Sequence, residues 1–114
     1  MSRIKRGVVS HRKHKKLLEI TKGFRGTKNR LVKVAREASL HAGQYAFAGR
    51  KNRKRDFRQL WILRISEAVK KYGLNYSQFM NKLKKANIII NRKILSYYVV
   101  NEPETFKNIV EKAK

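Results

Sequence analysis

The sequence predicts an all-α fold, a long basic N-terminal helical arm followed by a small C-terminal helical bundle. Apolar residues recur at three-to-four spacing from Leu31 to Ala42 and again from Trp61 onward, the period of a helix face. Helix-start signals precede the later stripes: Ser77, Asn91, and Asn101 with Pro103. The charge is lopsided as well. Residues 1–58 hold 19 Lys+Arg and 3 acids (Glu19, Glu37, Asp56), a net +16, whereas residues 59–114 hold 11 and 4, a net +7. This divides the chain into an arm, 1–58, and a globular domain, 59–114.

Taken in order, residues 1–30 are polar, basic and punctuated by Gly7, Gly23 and Gly26. Lys13 to Lys22 can form a helix with Leu17, Leu18 and Ile20 as a thin apolar edge. That edge is too small to offset the cost of ordering the backbone, roughly 1–2 kcal/mol per residue. The segment is expected to be disordered when free and ordered against a partner. Residues 27–72 read as one long, mostly helical stretch, with a kink expected near Gly43 or Gly49. Its face of Leu31, Val34, Ala35, Ala38 and Ala42 is narrow and small. Such a helix stays exposed or packs on something other than its own chain.

From residue 60 the pattern broadens. Trp61, Ile65, Ala68 and Tyr72 form one stripe, widened by Ile62 and Val69, and Trp61 is read as core. Gly73 then Leu74 suits a hydrophobic C-terminal cap. Ser77 is placed to cap a helix burying Met80, Leu83 and Ala86, with Phe79 beside it. Asn91 is placed to cap a helix carrying Ile94, Leu95, Tyr98 and Val99. Asn101 is placed to cap a last helix presenting Phe106, Ile109, Val110 and Ala113. Ile88-Ile89-Ile90 has strand character but no partner strand nearby. A bundle of about 55 residues is at the small end of what folds without staples.

The whole chain carries 30 Lys+Arg against 7 Asp+Glu, a formal net charge of +23 in 114 residues. A compact protein with that excess repels itself unless a polyanion lies nearby. Nucleic acid is the usual one, because each neutralised phosphate releases condensed counterions. The absence of cysteine excludes disulfides and thiolate metal sites. No apolar run approaches the roughly 20 residues that cross a bilayer. The arm also lacks the broad Leu/Trp/Phe face of a membrane-surface helix, so no membrane partner is expected. The first residues, Met1 to Gly7, have neither a signal-peptide core nor a Ser-rich leader, so the protein is expected to work where it is made.

The acids are scattered, and Glu102 with Glu104 suits a helix start better than a paired-carboxylate site. His11 and His14 can share a helix face, but Arg12, Lys13, Lys15 and Lys16 around them repel a cation and no Cys or acid completes a ligand set. No phosphate-cradling glycine loop is present. An enzyme, a metal, a cofactor and a small-molecule substrate are therefore not expected.

The basic runs carry the signal. His11 to Lys16 and Arg50-Lys51-Asn52-Arg53-Lys54-Arg55 are the densest, and in a helix six consecutive residues point in all directions. A solvated face does not require that; threading between phosphates does. Every cation of the arm is a candidate contact: Arg3, Lys5 and Arg6 at the start, then Arg12, Lys13, Lys15 and Lys16. Lys22, Arg25, Lys28 and Arg30 follow, then Lys33 and Arg36, and finally Arg50, Lys51, Arg53, Lys54, Arg55 and Arg58. Among the interleaved aromatics, Phe24 and Tyr45 are the candidates for stacking on unpaired bases. In the bundle, Lys84, Lys85, Arg92 and Lys93 flank a link between two short helices, and Arg64 lies on the helix leading in. With helix starts at Ser77 and Asn91, these form a candidate basic ridge suited to an RNA junction. A histone-like DNA binder fits less well, since neither a zipper nor a clear helix-turn-helix is present.

One segment is more specific. Lys54-Arg-Asp-Phe-Arg58-Gln-Leu60-Trp61-Ile62-Leu63-Arg64-Ile65-Ser66, followed by Lys70, resembles the diagnostic segment of the bacterial-type large-subunit ribosomal protein twenty family. Arg3-Ile-Lys-Arg-Gly-Val8, Lys22-Gly-Phe-Arg-Gly26 and Ala42-Gly-Gln-Tyr-Ala46 match it in order. So do Tyr76-Ser-Gln-Phe79, Leu83-Lys-Lys-Ala86 and Asn91-Arg-Lys-Ile-Leu95, so the resemblance covers essentially the whole chain.

The resemblance implies an arm threading through large-subunit ribosomal RNA, a small helical domain at the surface, and neighbouring large-subunit ribosomal proteins as partners. It implies a role early in subunit assembly and none in peptide-bond chemistry. Bacterial members also repress their own operon through a messenger that imitates the ribosomal site. By position, Lys84, Lys85, Arg92 and Lys93 fall where the family's C-terminal domain meets its RNA junction. The chain departs from the familiar form at Phe47-Ala48-Gly49-Arg50, where an aromatic and Arg-Asp-Arg are usual. Heavy use of Lys, Asn and Ile suggests an A+T-rich genome, and Lys54 to Arg58 with Phe24 is similar to plastid-encoded members. The chloroplast stroma is the expected location and the bacterial cytoplasm the alternative; in a plastid, repression of its own messenger is not expected.

This division sets a first test. Residues 59–114 alone should fold and bind RNA weakly, while residues 1–58 alone should give coil-like circular dichroism until RNA is added. A cooperative melt of the isolated arm would contradict it.

Overall fold

In the computed structural model, which describes residues 6–113, the chain is all-helical and no strand occurs among those residues. The elements are α1 (Gly7–Ile20), a 3₁₀ turn (Gly26–Asn29), α2 (Val32–Lys70), α3 (Tyr76–Lys85), α4 (Arg92–Asn101) and α5 (Pro103–Ala113). The chain divides into two compact units, Met1–Lys51 and Asn52–Lys114, the division falling inside α2.

In the first unit, α1 begins six residues before the expected Lys13, at Gly7. Once a turn is nucleated, each added residue gains a backbone bond, so the helix extends back through polar sequence. It stops at Thr21, whose backbone N–H reaches Leu17 O at 3.2 Å. The Thr21 hydroxyl donates toward the carbonyls of Leu17 and Leu18, each at 3.4 Å, with the residue fully buried. The turn then leads straight into α2, Leu31 N–H bonding Thr27 O at 3.0 Å and Ala35 N–H bonding Leu31 O at 2.8 Å.

Ala35 is fully buried and Val34 and Ala38 are half-buried, so part of the small-residue face of α2 finds cover within its own chain, while Leu31 and Ala42 stay exposed. Val32 shares a hollow with His11, His14 and Leu18 of α1, and Val34 and Ala38 share another with Phe24 and Lys28. Small side chains allow this close approach; the stripe was legible, its partner was not. The expected kink does not interrupt α2, which is one helix through Gly43 and Gly49.

The second unit holds the core. Ile65 and Val69 of α2, Phe79 and Leu83 of α3, Leu95 of α4, and Phe106, Val110 and Ala113 of α5 form one buried cluster. α5 packs against both α3 and α4. The Phe79 and Phe106 rings meet at 5.8 Å and 54°, a tilted pair of the favoured kind. Two helices end on the same cap. Gly73, at φ 72°, bonds through its N–H to Lys70 O at 3.0 Å, and Leu74 N–H returns to Val69 O at 3.2 Å. Asn87, at φ 52°, and Ile88 repeat this on Lys84 O and Leu83 O at 3.2 and 3.0 Å. Leu74 and Ile88 then fold onto the core, as this cap favours.

Four expectations are corrected here. Trp61 is half-buried and lies outside the core cluster, whose first α2 member is Ile65 one turn later; its ring stacks on Phe57 instead, centroids 6.3 Å apart. Asn75, not Ser77, stands at the start of α3, and its N–H donates to Gln78 Oε1 at 3.1 Å. The helix therefore starts earlier and buries Phe79 and Leu83, while Met80 is half-buried and Ala86 exposed. Asn101 belongs to α4, its side-chain amide donating to Tyr97 O at 3.2 Å. Glu102 takes the position before α5: its carbonyl accepts Phe106 N–H at 3.1 Å and its carboxylate accepts the Thr105 hydroxyl at 3.1 Å. Pro103 forces the residue before it out of the helical region, and Glu102 sits at φ −136°, ψ 67°.

Three further expectations are borne out. Asn91 caps α4, accepting Ile94 N–H at 2.9 Å, and α5 buries the predicted side. Ile88 and Ile90 pack on the core from the loop while Ile89 is left 98% exposed, so the apolar triplet makes no strand.

Phe79→Ala should cost about 3–5 kcal/mol, enough to unfold so small a core. Gly73→Ala meets no neighbouring atom and should cost only the left-handed backbone penalty, about 1–2 kcal/mol. Urea unfolding of the intact protein measures both.

Candidate nucleic-acid interface

The middle of α2 is the plainest feature. Every residue from His41 through Leu60 is helical and exposed. Such a stretch turns Arg50, Lys51, Arg53, Lys54, Arg55 and Arg58 around the full cylinder, since successive residues advance by about 100°. The rings here lie along the helix rather than in a core. Lys51 Nζ sits 5.0 Å from the centroid of Phe47, and the Arg53 guanidinium 5.7 Å from that of Phe57. Tyr45 is 74% exposed and lies parallel to His41 at 6.3 Å.

Electrostatically the surface is open. Among the described residues the Lys and Arg ion pairs are Lys70–Glu67 (2.6 Å) and Lys107–Glu111 (4.0 Å), and His41 lies 3.9 Å from Glu37, all exposed and within one turn. No candidate Lys or Arg takes part in them. Pairs of that kind contribute little, so the field of the cations is uncompensated by the chain's own acids.

The candidate residues fall into three groups. Arg3 and Lys5 lie outside the described residues. Arg6, Arg12, Lys13, Lys15 and Lys16 are exposed on or beside α1; Lys22, Arg25, Lys28 and Arg30 are exposed around the turn; Lys33 and Arg36 are exposed at the start of α2. Phe24 is half-buried, and with Lys28, Ala38, Ala42 and Tyr45 it lines a hollow of about 500 Å³. The two stacking candidates are thus brought to one place, with one of them already partly packed.

In the second unit, Lys84 and Lys85 end α3, while Arg92 and Lys93 begin α4. Lys84, Lys85 and Lys93 are exposed; Arg92 is half-buried, its Nε donating to the Tyr76 hydroxyl at 2.8 Å. Arg64 is exposed beside Tyr72, Val99, Pro103 and Phe106, lining a different hollow from Lys84. The helix start near the ridge is Asn75 rather than Ser77. Sequence reasoning missed Tyr76: nothing in its spacing signals a bond to a residue 16 positions away.

No group of His, Asp and Glu suited to a metal occurs among the described residues, and none of their helices is long and apolar enough to cross a membrane. Fold and surface together define a small, strongly basic helical protein with a minimal core and an uncovered cationic helix. Residues 3–109 match the family described as Ribosomal protein L20. The chain is 53% identical over its whole length to the large ribosomal subunit protein bL20 of Roseiflexus sp. (strain RS-1), covering 97% of that protein. It is 51% identical to the protein so named in Nitrobacter hamburgensis and 47% identical to that of Buchnera aphidicola subsp. Cinara cedri, covering 100% of this chain and 96% of each relative. The chain belongs to the ribosomal protein L20 family, a family of ribosomal structural proteins and not of enzymes.

Because Tyr45 and Phe57 touch no core residue, Tyr45→Ala and Phe57→Ala should each change the protein's unfolding free energy by no more than about 0.5 kcal/mol. Thermal denaturation without RNA checks this.

Proposed function

We propose that the chain is a structural constituent of the large ribosomal subunit that binds large-subunit ribosomal RNA directly and is needed early in the subunit's assembly. The observation that carries this reading is the stretch His41–Leu60, exposed on every side and crowded with Lys and Arg, in a chain that its bL20 relatives match over the whole length. Phosphates on several sides of α2 would neutralise the charge that the protein's own 7 acids leave unpaired. The arm of residues 1–58 carries most of the contacts. The bundle of residues 59–114 adds Arg64, Lys84, Lys85, Arg92 and Lys93.

Phe24 and Tyr45 stack on an unpaired base at their shared hollow, where Lys28 can take the adjoining phosphate. Neighbouring large-subunit proteins are the second class of partner. The exposed, uncharged residues Ile94, Tyr97 and Val100 of α4 suit a protein neighbour better than phosphate. A chloroplast location rests on sequence character alone, the Lys/Asn/Ile usage and the form of Lys54–Arg58. The relatives named above are bacterial, which supports the alternative, a bacterial ribosome. Fractionation of source cells separates the two.

Binding to a large-subunit RNA fragment should weaken on the order of 10³–10⁵-fold between 50 and 200 mM salt if six to ten phosphates are contacted. A duplex DNA of equal length should bind more weakly throughout. Equal affinity for both would overturn the RNA assignment. Failure to sediment with the large subunit through a salt wash would overturn the ribosomal one.

A further inference from the structure

Of the basic side chains described, only Lys82 and Arg92 are half-buried; the others are exposed. Arg92 is singular in a second respect. Among the described residues, its bond to Tyr76 is the one side-chain hydrogen bond that joins two helices; the rest link residues three or four apart.

The geometry is informative about which edge of the guanidinium is free. Tyr76 is the first residue of α3 and Arg92 the first of α4, each following an asparagine in extended backbone, Asn75 and Asn91. Nε, the donor nearest the stem, is the atom taken by the Tyr76 oxygen, at 2.8 Å. The two terminal nitrogens, with their four N–H groups, are left for a ligand. A guanidinium held by Nε is a fork with its prongs forward, the arrangement that takes two phosphate oxygens at once. Neither helix start has an acid in its first turn to compete for that fork. Lysine has no Nε to be held and no fork to present.

We propose that Tyr76 is a positioning residue for RNA binding. Its hydroxyl fixes the Arg92 side chain before RNA arrives, so that this cation contacts phosphate without the ordering cost that the chain's loose surface cations bear. The inference rests on the reading that Arg92 faces RNA, and it assigns Tyr76 no contact with RNA of its own.

The test uses the full-length protein and a large-subunit RNA fragment, comparing wild type with Tyr76→Phe, Arg92→Ala, Arg92→Lys and the double variant Tyr76→Phe/Arg92→Ala. Tyr76→Phe keeps the ring that packs on the core and removes the hydroxyl alone. It should weaken RNA binding by about three- to tenfold, the equivalent of one hydrogen bond, and leave the dependence on salt unchanged because no cation is lost. Arg92→Ala should weaken binding further and make the salt dependence shallower by about one contact. Adding Tyr76→Phe to Arg92→Ala should have no further effect, and Arg92→Lys should resemble Tyr76→Phe.

A purely structural Tyr76 would lower the unfolding midpoint and leave the affinity of the folded protein unchanged. That result, or an additive effect in the double variant, overturns the proposal. If Arg92→Ala binds as wild type does, the proposal fails while RNA binding by the chain stands. If the wild-type protein itself does not bind, the proposed function fails with it.

Discussion

Repulsion among the Lys and Arg side chains is the constraint from which the rest of this molecule follows. A net +23 on 114 residues works against any compact state. The chain answers by keeping its packed part small and its charge spread. The cations of α1 and the middle of α2 lie on exposed helix, where water and counterions screen them. The buried cluster is built from apolar side chains alone. Among the described residues the two buried polar ones, Thr21 and Ser96, lie outside that cluster and are uncharged, as burial requires of groups with few partners.

The bundle shows how few residues make a core when each is well placed. Eight buried side chains from four helices meet in one cluster, and the helices around them are short. Helices of 10 or 11 residues are marginal alone, so α3, α4 and α5 are held by packing and by their ends. Asn91 satisfies a free amide at the start of α4, and the left-handed residues Gly73 and Asn87 turn the chain at the ends of α2 and α3. The same turns drive Leu74 and Ile88 into the core, so each helix end also adds burial. Local chemistry and packing reinforce each other here, which is what a small cooperative unit needs.

The helical surface between these regions is chemically mixed in a way that fits a folded nucleic acid. Lys51 and Arg53 lie over the rings of Phe47 and Phe57, which themselves remain exposed. Tyr45 and Phe24 are left at a hollow. A long helix with charge all round and flat apolar rings between the charges offers phosphate and base contacts together, and neither alone explains the composition.

Much of this was legible in the chain itself. Helical period, caps and composition suffice for the all-α class, the position of α2, the cap at Gly73, the start of α4 at Asn91 and the buried side of α5, because those depend on neighbours within a turn or two. Family membership was legible in the Trp61 segment for the same reason. What depended on distant residues was not. Trp61 lay on the right stripe, yet the buried cluster takes Ile65 as its first member from α2, and which turn of a stripe is covered depends on where the later helices pack. Asn101 and Glu102 both suited a helix start, and the claim of α4 on Asn101 decided between them. Ala35 is fully buried although its face was expected to find no cover within its own chain, and periodicity does not announce what covers it. Tyr76 met Arg92 because the fold brings the first residues of α3 and α4 within hydrogen-bond reach, and a contact across 16 residues is a property of tertiary structure that spacing along the chain does not encode.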